Sequence, residues 1–457
     1  MKLNRYLLGS TLVAALGGFL FGFDTAVISG ATEMLRSLFS LTSNQLGFTV
    51  ASALVGTIVG SLAAGKPTEW LGRKPVLMWL AGLYFISALG CGLAWSWYSL
   101  LSFRFIGGLA IGGASVVSPM YIAEISPPHA RGRLVAVSQL NVVAGILTAY
   151  FSNYLIAAIM AGNPTAWRWM LGIVAVPAIL FLLFLLPIPE SPRWLVKRHR
   201  RDEALGILQK LGNDNAAGVL GEIVDSLHEE TVGADEPFFR RKYLRPILLA
   251  FMVASFNQLA GINALIYYTA DIFRMAGAEQ TSALLQSVVI GLTNLVFTLI
   301  AMSVIDHFGR KRLLMIGAVG LAICLATTAG AFYMGEQIKS GALSESYRAA
   351  VGPLVLGSLI GYIAFFAFSQ GSVIWVFISE IFPNRVRARG QALGSVTHWC
   401  WCAIVSWTFP VIADFSKSGP FLFFSVMMML QLLLVWKFMP ETKGASLEQI
   451  QRELGIE

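Results

Sequence analysis

Two ionisable residues occupy positions where a charge is hard to keep. Asp24 lies in Phe21-Gly22-Phe23-Asp24-Thr25, inside an apolar run and far from its charged N-terminal flank. Arg104, in Ser102-Phe103-Arg104-Phe105-Ile106, is the single basic residue within an apolar run away from the ends of that run. A charged side chain in the middle of a membrane helix costs at least about 2.5–3.5 kcal/mol, so one retained there marks function by default. Desolvation favours the protonated acid, whereas a nearby guanidinium favours the carboxylate. A change in the Asp24–Arg104 separation would therefore change proton affinity and couple proton movement to a conformational change. A permanent structural ion pair is the other reading, and the residues alone leave both open.

Six polar side chains recur in the middle of other apolar runs: Gln139, Asn257, Gln258, Asn263, Asn294 and His398. Amides offer donors and acceptors without charge, which suits a neutral polyhydroxylated solute. Asn257-Gln258 and Asn263 fall about one and a half helical turns apart, on neighbouring faces. Trp375, with Gly371 one turn earlier, can add a flat apolar surface for a sugar ring. Intramembrane amides also serve as helix–helix glue; their origin in both halves of the chain favours a shared site, while His398 stands between ligand contact and packing.

A third set sits at helix ends. Glu124 precedes Arg131, and Glu380 precedes Arg387, at the same spacing, with Arg73 and Arg310 in short loops nearby. These can form salt bridges across a bundle interface when the inner side is shut. At about 0–1 kcal/mol each, such pairs bias a conformational equilibrium without freezing it. The alternative, that the arginines only follow membrane topology, leaves the matched glutamates unaccounted for. No metal, cofactor or enzyme chemistry is expected: there is no phosphate-binding Gly-x-x-x-x-Gly-Lys-Ser/Thr loop and no His-Glu-x-x-His pair. Cys91, Cys324, Cys400 and Cys402 fall inside apolar runs and read as small packing residues.

The elements that must position these residues follow from composition. Of 457 residues, 56% are hydrophobic and 13% charged, about half the charge of an average soluble domain, and the mean hydropathy is +0.68. Soluble and disordered chains are excluded. A membrane β-barrel is excluded too, because the apolar segments are continuous and do not alternate. A bilayer crossing needs about 20 apolar residues, and twelve such stretches occur, near 7–30, 46–65, 75–97, 99–122, 134–160, 166–188, 246–273, 282–305, 313–335, 352–380, 391–414 and 419–439. The first is too long for a cleaved signal core and is expected to be kept. With a cytoplasmic N-terminus, the odd-numbered loops hold only Arg36, Arg168, Arg274, Lys339, Arg348 and Lys417 of the 33 basic residues. That asymmetry is the positive-inside rule and places both termini in the cytoplasm. It accounts for the basic excess without a nucleic-acid partner.

The halves repeat each other. Gly72-Arg73-Lys74 recurs as Gly309-Arg310-Lys311, Glu124…Arg131 as Glu380…Arg387, and Pro189-Glu190-Ser191 as Pro440-Glu441-Thr442, in the same order and at nearly constant offset. The expected fold is an all-α membrane protein of twelve transmembrane helices in two pseudo-symmetric six-helix bundles: 1–188, a cytoplasmic helical linker over 189–245, 246–440, and a cytoplasmic tail over 441–457. Parallel repeats of this kind rock about a central site in secondary transporters.

Taken together, Gly72-Arg73-Lys74, Arg104-Phe105-Ile106-Gly107-Gly108, Pro119-Met120-Tyr121-Ile122-Ala123-Glu124 through Arg131-Gly132, Pro189-Glu190-Ser191-Pro192-Arg193-Trp194-Leu195, Gln258-Leu259-Ala260-Gly261-Ile262-Asn263 with Tyr267-Tyr268, Gly309-Arg310-Lys311 and Pro440-Glu441-Thr442-Lys443-Gly444 resemble the sugar-porter family of the major facilitator superfamily. The resemblance spans nearly the whole chain. It implies monosaccharide transport by alternating access. Positions matching Gln139, Asn257, Gln258, Asn263, Asn294, Trp375 and His398 line the sugar site in that family, and those matching Asp24 and Arg104 are the proton-coupling pair of its symporters. Passive facilitators tend to carry a neutral residue at the Asp24 position. The chain departs from the family where Asn257-Gln258 replaces two glutamines, where His398 replaces an amide, where prolines are absent from Gly371-Ser372-Val373-Ile374-Trp375, at Ile146, and at Glu69-Trp70. The expectation is a sugar–proton symporter of a bacterial inner membrane, functional as a monomer, with a small neutral sugar, protons and the lipid bilayer as partners. A passive facilitator is the nearest rival. A non-transporting sugar sensor fits less well, since only a short segment follows the last span.

Overall fold

A computed structural model describes residues 4–127, 130–213, 215–232, 237–338, 345–383, 385–443 and 447–456. Of the residues named above, Lys339, Gly444 and the side chains of Ser372 and Arg348 lie outside that description. Among the described residues, twelve helices are long and apolar enough to cross a membrane: α1 (Arg5–Leu38), α2 (Ser43–Ala63), α3 (Arg73–Gly92), α4 (Trp97–Ile125), α5 (Arg131–Ile159), α6 (Ala166–Leu185), α7 (Arg241–Tyr267), α8 (Gln280–Ser303), α9 (Arg310–Gln337), α10 (Ala350–Glu380), α11 (Arg387–Phe415) and α12 (Gly419–Phe438). No strand occurs among the described residues. In hydrocarbon every main-chain polar group must be satisfied within the segment, so long apolar runs have no alternative to the helix. Even the 20-residue α12 reaches about 30 Å, the thickness of the hydrocarbon core.

Three of these helices are interrupted among the described residues. In α6 a turn at Ile173 and Val174 separates Ala166–Gly172 from Ala175–Leu185. In α7 the helix over Leu244–Leu259 stops, Gly261 adopts a left-handed conformation with φ +86°, and the chain resumes over Ile262–Tyr267. Only glycine takes that φ without cost, and a Cβ there would lie 2.4 Å from the Phe424 ring. In α10 the break falls at Ser369, between helices ending at Phe368 and starting at Gln370. The Ser369 hydroxyl donates to the Phe365 carbonyl at 2.6 Å. Irregular backbone at membrane depth is tolerated only where it is enclosed by protein or lines a polar cavity.

The chain forms two compact units. Unit 1 contains residues 1–27, 52–149 and 164–235; unit 2 contains 28–51, 150–163 and 236–457. Within unit 1 the glycine-rich stretch of α4 brings backbones together as its sequence suggests. A Cβ on Gly108 would meet the Ala53 carbonyl of α2 at 1.9 Å. Short helices over Pro192–Lys197, Arg201–Lys210 and Ala216–Val232 pack Trp194, Leu195, Val196 and Ala204 into one apolar cluster. Trp194 pins them to the unit by donating its Nε1–H to the Glu69 carbonyl at 2.8 Å. In unit 2 a terminal helix over Leu447–Leu454 buries Ile450 and Leu454 in the core with Phe238, Tyr243 and Val435.

Candidate functional site

Unit 1 holds the coupling candidates. Arg104 of α4 is 2% exposed, and its guanidinium acts on the Asp24 carboxylate of α1. Tyr84 of α3 and Cys91, both buried, lie in the same electrostatic field. Tyr84 escapes a sequence reading because a tyrosine in an apolar run counts as apolar. Gln139, on α5 of this unit, is exposed.

At the Gly-Arg-Lys loops the duplicated motifs build the same structure twice. Arg73 grips Glu124 through Nε and Nη2 at 2.8 and 2.7 Å, and Arg310 donates to Glu380 at 3.0 Å. The main-chain amides of Arg73 and Lys74, which open α3, donate to Glu190 at 3.0 and 3.3 Å. Those of Arg310 and Lys311, which open α9, donate to Glu441 at 2.8 and 3.2 Å. The first amides of a helix have no intrahelical acceptor and carry a partial positive charge, so a carboxylate there caps it. The preceding glycines, Gly72 and Gly309, have φ +102° and +85°, and a Cβ on either would strike the capping carboxylate at 2.3 and 2.6 Å. Burial pushes the Glu190 carboxyl above the usual carboxylate range; the Ser191, Lys74 and Arg73 amides and the Arg73 charge pull the other way. Glu190 and Glu441 are missing from the candidates read from sequence, although their repetition was visible. Each Arg–Glu pair joins helices of a single unit. Arg131 is exposed, and Arg387 Nε donates to the Phe382 carbonyl at 3.4 Å.

Unit 2 brings most of the remaining candidates together. Gln258 Nε2 donates to Asn257 Oδ1 at 3.1 Å and lies 3.2 Å from Nδ1 of His398. Asn263, beyond the α7 break, donates to Gln258 Oε1 at 2.7 Å. Trp375 stands 5.2 Å from the His398 ring, centroid to centroid. Asn257 and Gln258 are buried while Asn263 and His398 are partly exposed; Trp375 is 38% exposed. Of this group, Asn263, His398 and the indole are the accessible side chains, and Asn257 and Gln258 are enclosed. Gly371 lies one turn before Trp375 in the helix that follows the α10 break. Asn294 of α8 is nearly buried and has Thr298 3.5 Å away as its hydrogen-bond partner.

At the opposite end of unit 2 lies a charge cluster that sequence reasoning missed. Asp271 pairs with Arg274 and accepts the Thr32 hydroxyl of α1 at 2.8 Å. Arg274 also lies 3.5 Å from Glu33. Asp414 of α11 accepts from Ser43 of α2 and pairs with Arg36 at 3.4 Å. Glu33, Arg36, Asp271, Arg274 and Asp414 line a cavity of about 300 Å³. Charges at loop edges are ordinary in membrane proteins, so nothing in the sequence distinguishes them.

A duplicated, twelve-helix, multi-pass membrane protein with amides clustered beside broken helices is the design of a solute transporter. The sequence pattern of the family described as "Sugar (and other) transporter" matches residues 10–454, and the chain belongs to that family, within the major facilitator superfamily. The D-xylose-proton symporter of Escherichia coli (strain K12) is 39% identical over 488 residues, covering 98% of this chain and 96% of that protein. The glucose transport protein of Synechocystis sp. is 37% identical over 454 residues, covering 96% and 95%. Among solved structures, the partially occluded inward open conformation of the xylose transporter XylE from E. coli superposes with a TM-score of 0.85 at 37% identity, covering 97% of this chain and 100% of that one.

Proposed function

We propose that the chain takes up a monosaccharide, hexose or pentose, by proton symport through alternating access, as a monomer in a bacterial inner membrane with both termini in the cytoplasm. The carrying observation is Asp24: a carboxyl kept inside an apolar helix, acted on by the buried Arg104 guanidinium of the same unit. The name of the E. coli relative, a D-xylose-proton symporter, supports the reading.

A proton on Asp24 cancels its attraction to Arg104, which in a poorly screened site is worth far more than in water. Sugar entering beside Asn263, His398 and Trp375 finds donors, acceptors and a flat apolar face. Asn294 supplies a further amide from α8. The Arg73–Glu124 and Arg310–Glu380 pairs, with Arg131 and Arg387, bias which side is open. Carboxylate and protonated acid thus favour different states, and the sugar is carried with the proton.

Asp24→Asn keeps the shape and removes the titratable group. Reconstituted into proteoliposomes, this variant is expected to lose uphill accumulation and to retain sugar exchange. Concentrative uptake by the variant would falsify the coupling role. A facilitator is separated by the medium itself: sugar added to de-energised cells alkalinises it only if protons enter with the sugar.

A further inference from the structure

The breaks in α7 and α10 are tied to each other in both directions. Tyr362 of α10 donates its hydroxyl to the Ala260 carbonyl, next to the α7 break, at 2.9 Å. Asn257 of α7 donates its side-chain amide to the Gln370 carbonyl, the first residue after the α10 break, at 3.5 Å. No proline lies between Ser369 and Trp375 to enforce the α10 break, so side chains must hold it. The strongest holder is Gln370 itself. Its Nε2 donates to Gln431 Oε1 of α12 at 2.7 Å and lies 3.2 Å from the Met428 sulfur. Gln370 and Gln431 are each 1% exposed. A neutral amide pair in such surroundings is strengthened by the low dielectric, and either partner left alone is costly.

Asn257 is occupied at both ends, since its Oδ1 accepts from Gln258. Contacts therefore run without interruption from Gln431 through Gln370 and Asn257 to Gln258, which in turn holds Asn263 and His398. We propose that Gln370, pinned by Gln431, is a positioning residue for sugar binding: it fixes the α10 break so that its main-chain carbonyl holds Asn257, and through Asn257 it orients the amides that meet the sugar. The inference rests on the reading of these amides as the sugar site.

The test measures binding of D-xylose and D-glucose to the purified full-length protein by calorimetry. The variants are Gln431→Leu and the double Gln370→Leu/Gln431→Leu, each made in the wild-type and in the Asn257→Ala background. The double variant leaves no orphaned amide, so its melting temperature stays near that of the wild type and separates positioning from unfolding. Both variants are expected to weaken the tighter-binding sugar about tenfold, the size of one lost buried polar contact. With Asn257→Ala present the further loss shrinks to about twofold or less, because the effect travels through that side chain. Unchanged affinity in the leucine variants, or the same loss with and without Asn257, overturns the positioning role while leaving the sugar site standing. Wild-type protein that binds neither sugar overturns both.

Discussion

Glu190 shows how much a single side chain can be asked to do. It accepts from two amides at the start of α3 while standing in the path of any side chain at position 72. Its proton is held more tightly folded than unfolded, because burial outweighs the donors around it. The folded state therefore binds more protons over a window that opens near the ordinary value of 4.5 and extends upward. Stability from this group is full below that window and falls as pH rises through it. Glu190→Gln cannot ionise. Its melting temperature in detergent is expected to climb relative to wild type as pH rises above 4.5, with the difference flat below; a variant-minus-wild-type difference that falls with rising pH contradicts the burial argument. Asp24 and Arg104 were legible because a lone charge stands out in an apolar run. Glu190, Asp271 and Arg274 were not, because charges beside loops are the norm. Gln370 and Gln431 gave the same signal as the six polar residues that were picked out, an amide within an apolar run, and could have been found.

At the scale of helices, the twelve spans were readable because a bilayer imposes one length and one polarity on every crossing. The interruptions were not, since a break at Ala260-Gly261 or Ser369 leaves hydropathy unchanged. The α7 break can be tested through two glycines of opposite circumstance. Gly261→Ala forces a Cβ into a left-handed conformation and against Phe424, costing about 1–2 kcal/mol for the backbone and about 1–3 kcal/mol for overpacking. Gly206→Ala, in the middle of the helix over Arg201–Lys210 with open space where the Cβ would go, gains about 0.5–1 kcal/mol. Thermal melts should move in opposite directions, down for the first and up for the second. If Gly261→Ala melts at the wild-type temperature, the break does not depend on that backbone conformation.

Considered as a whole molecule, the assignment of residues 28–51 and 150–163 to unit 2 means that parts of α1, α2 and α5 are held by the later helices. Two charge contacts do this unequally. The Arg36–Asp414 pair is exposed on both sides, at 42% and 49%, and is worth about 0–1 kcal/mol. Asp271 is better enclosed and carries a hydrogen bond from Thr32, a bond to a charged group worth about 1.5–3 kcal/mol. The two can be compared with a cysteine placed at Met275, which lines the cavity beside them. Asp271→Asn is expected to speed alkylation of that cysteine by an impermeant maleimide about tenfold, and Asp414→Asn by about twofold or less. Equal rates in the two variants would show that Asp271 does not fasten α1 to the segment after α7.

The helix over Leu447–Leu454 belongs to the core of unit 2, where Ile450, Leu454 and Ile456 meet Phe238 and Tyr243 from the start of its longest continuous stretch. Synthesis on the ribosome runs from one of these ends to the other, so the apolar cluster stays incomplete until the residues near 456 have emerged. Unit 2 must therefore mature after translation of that stretch is finished, and a message cut short there would yield a polypeptide inserted in the bilayer with a core left open to water.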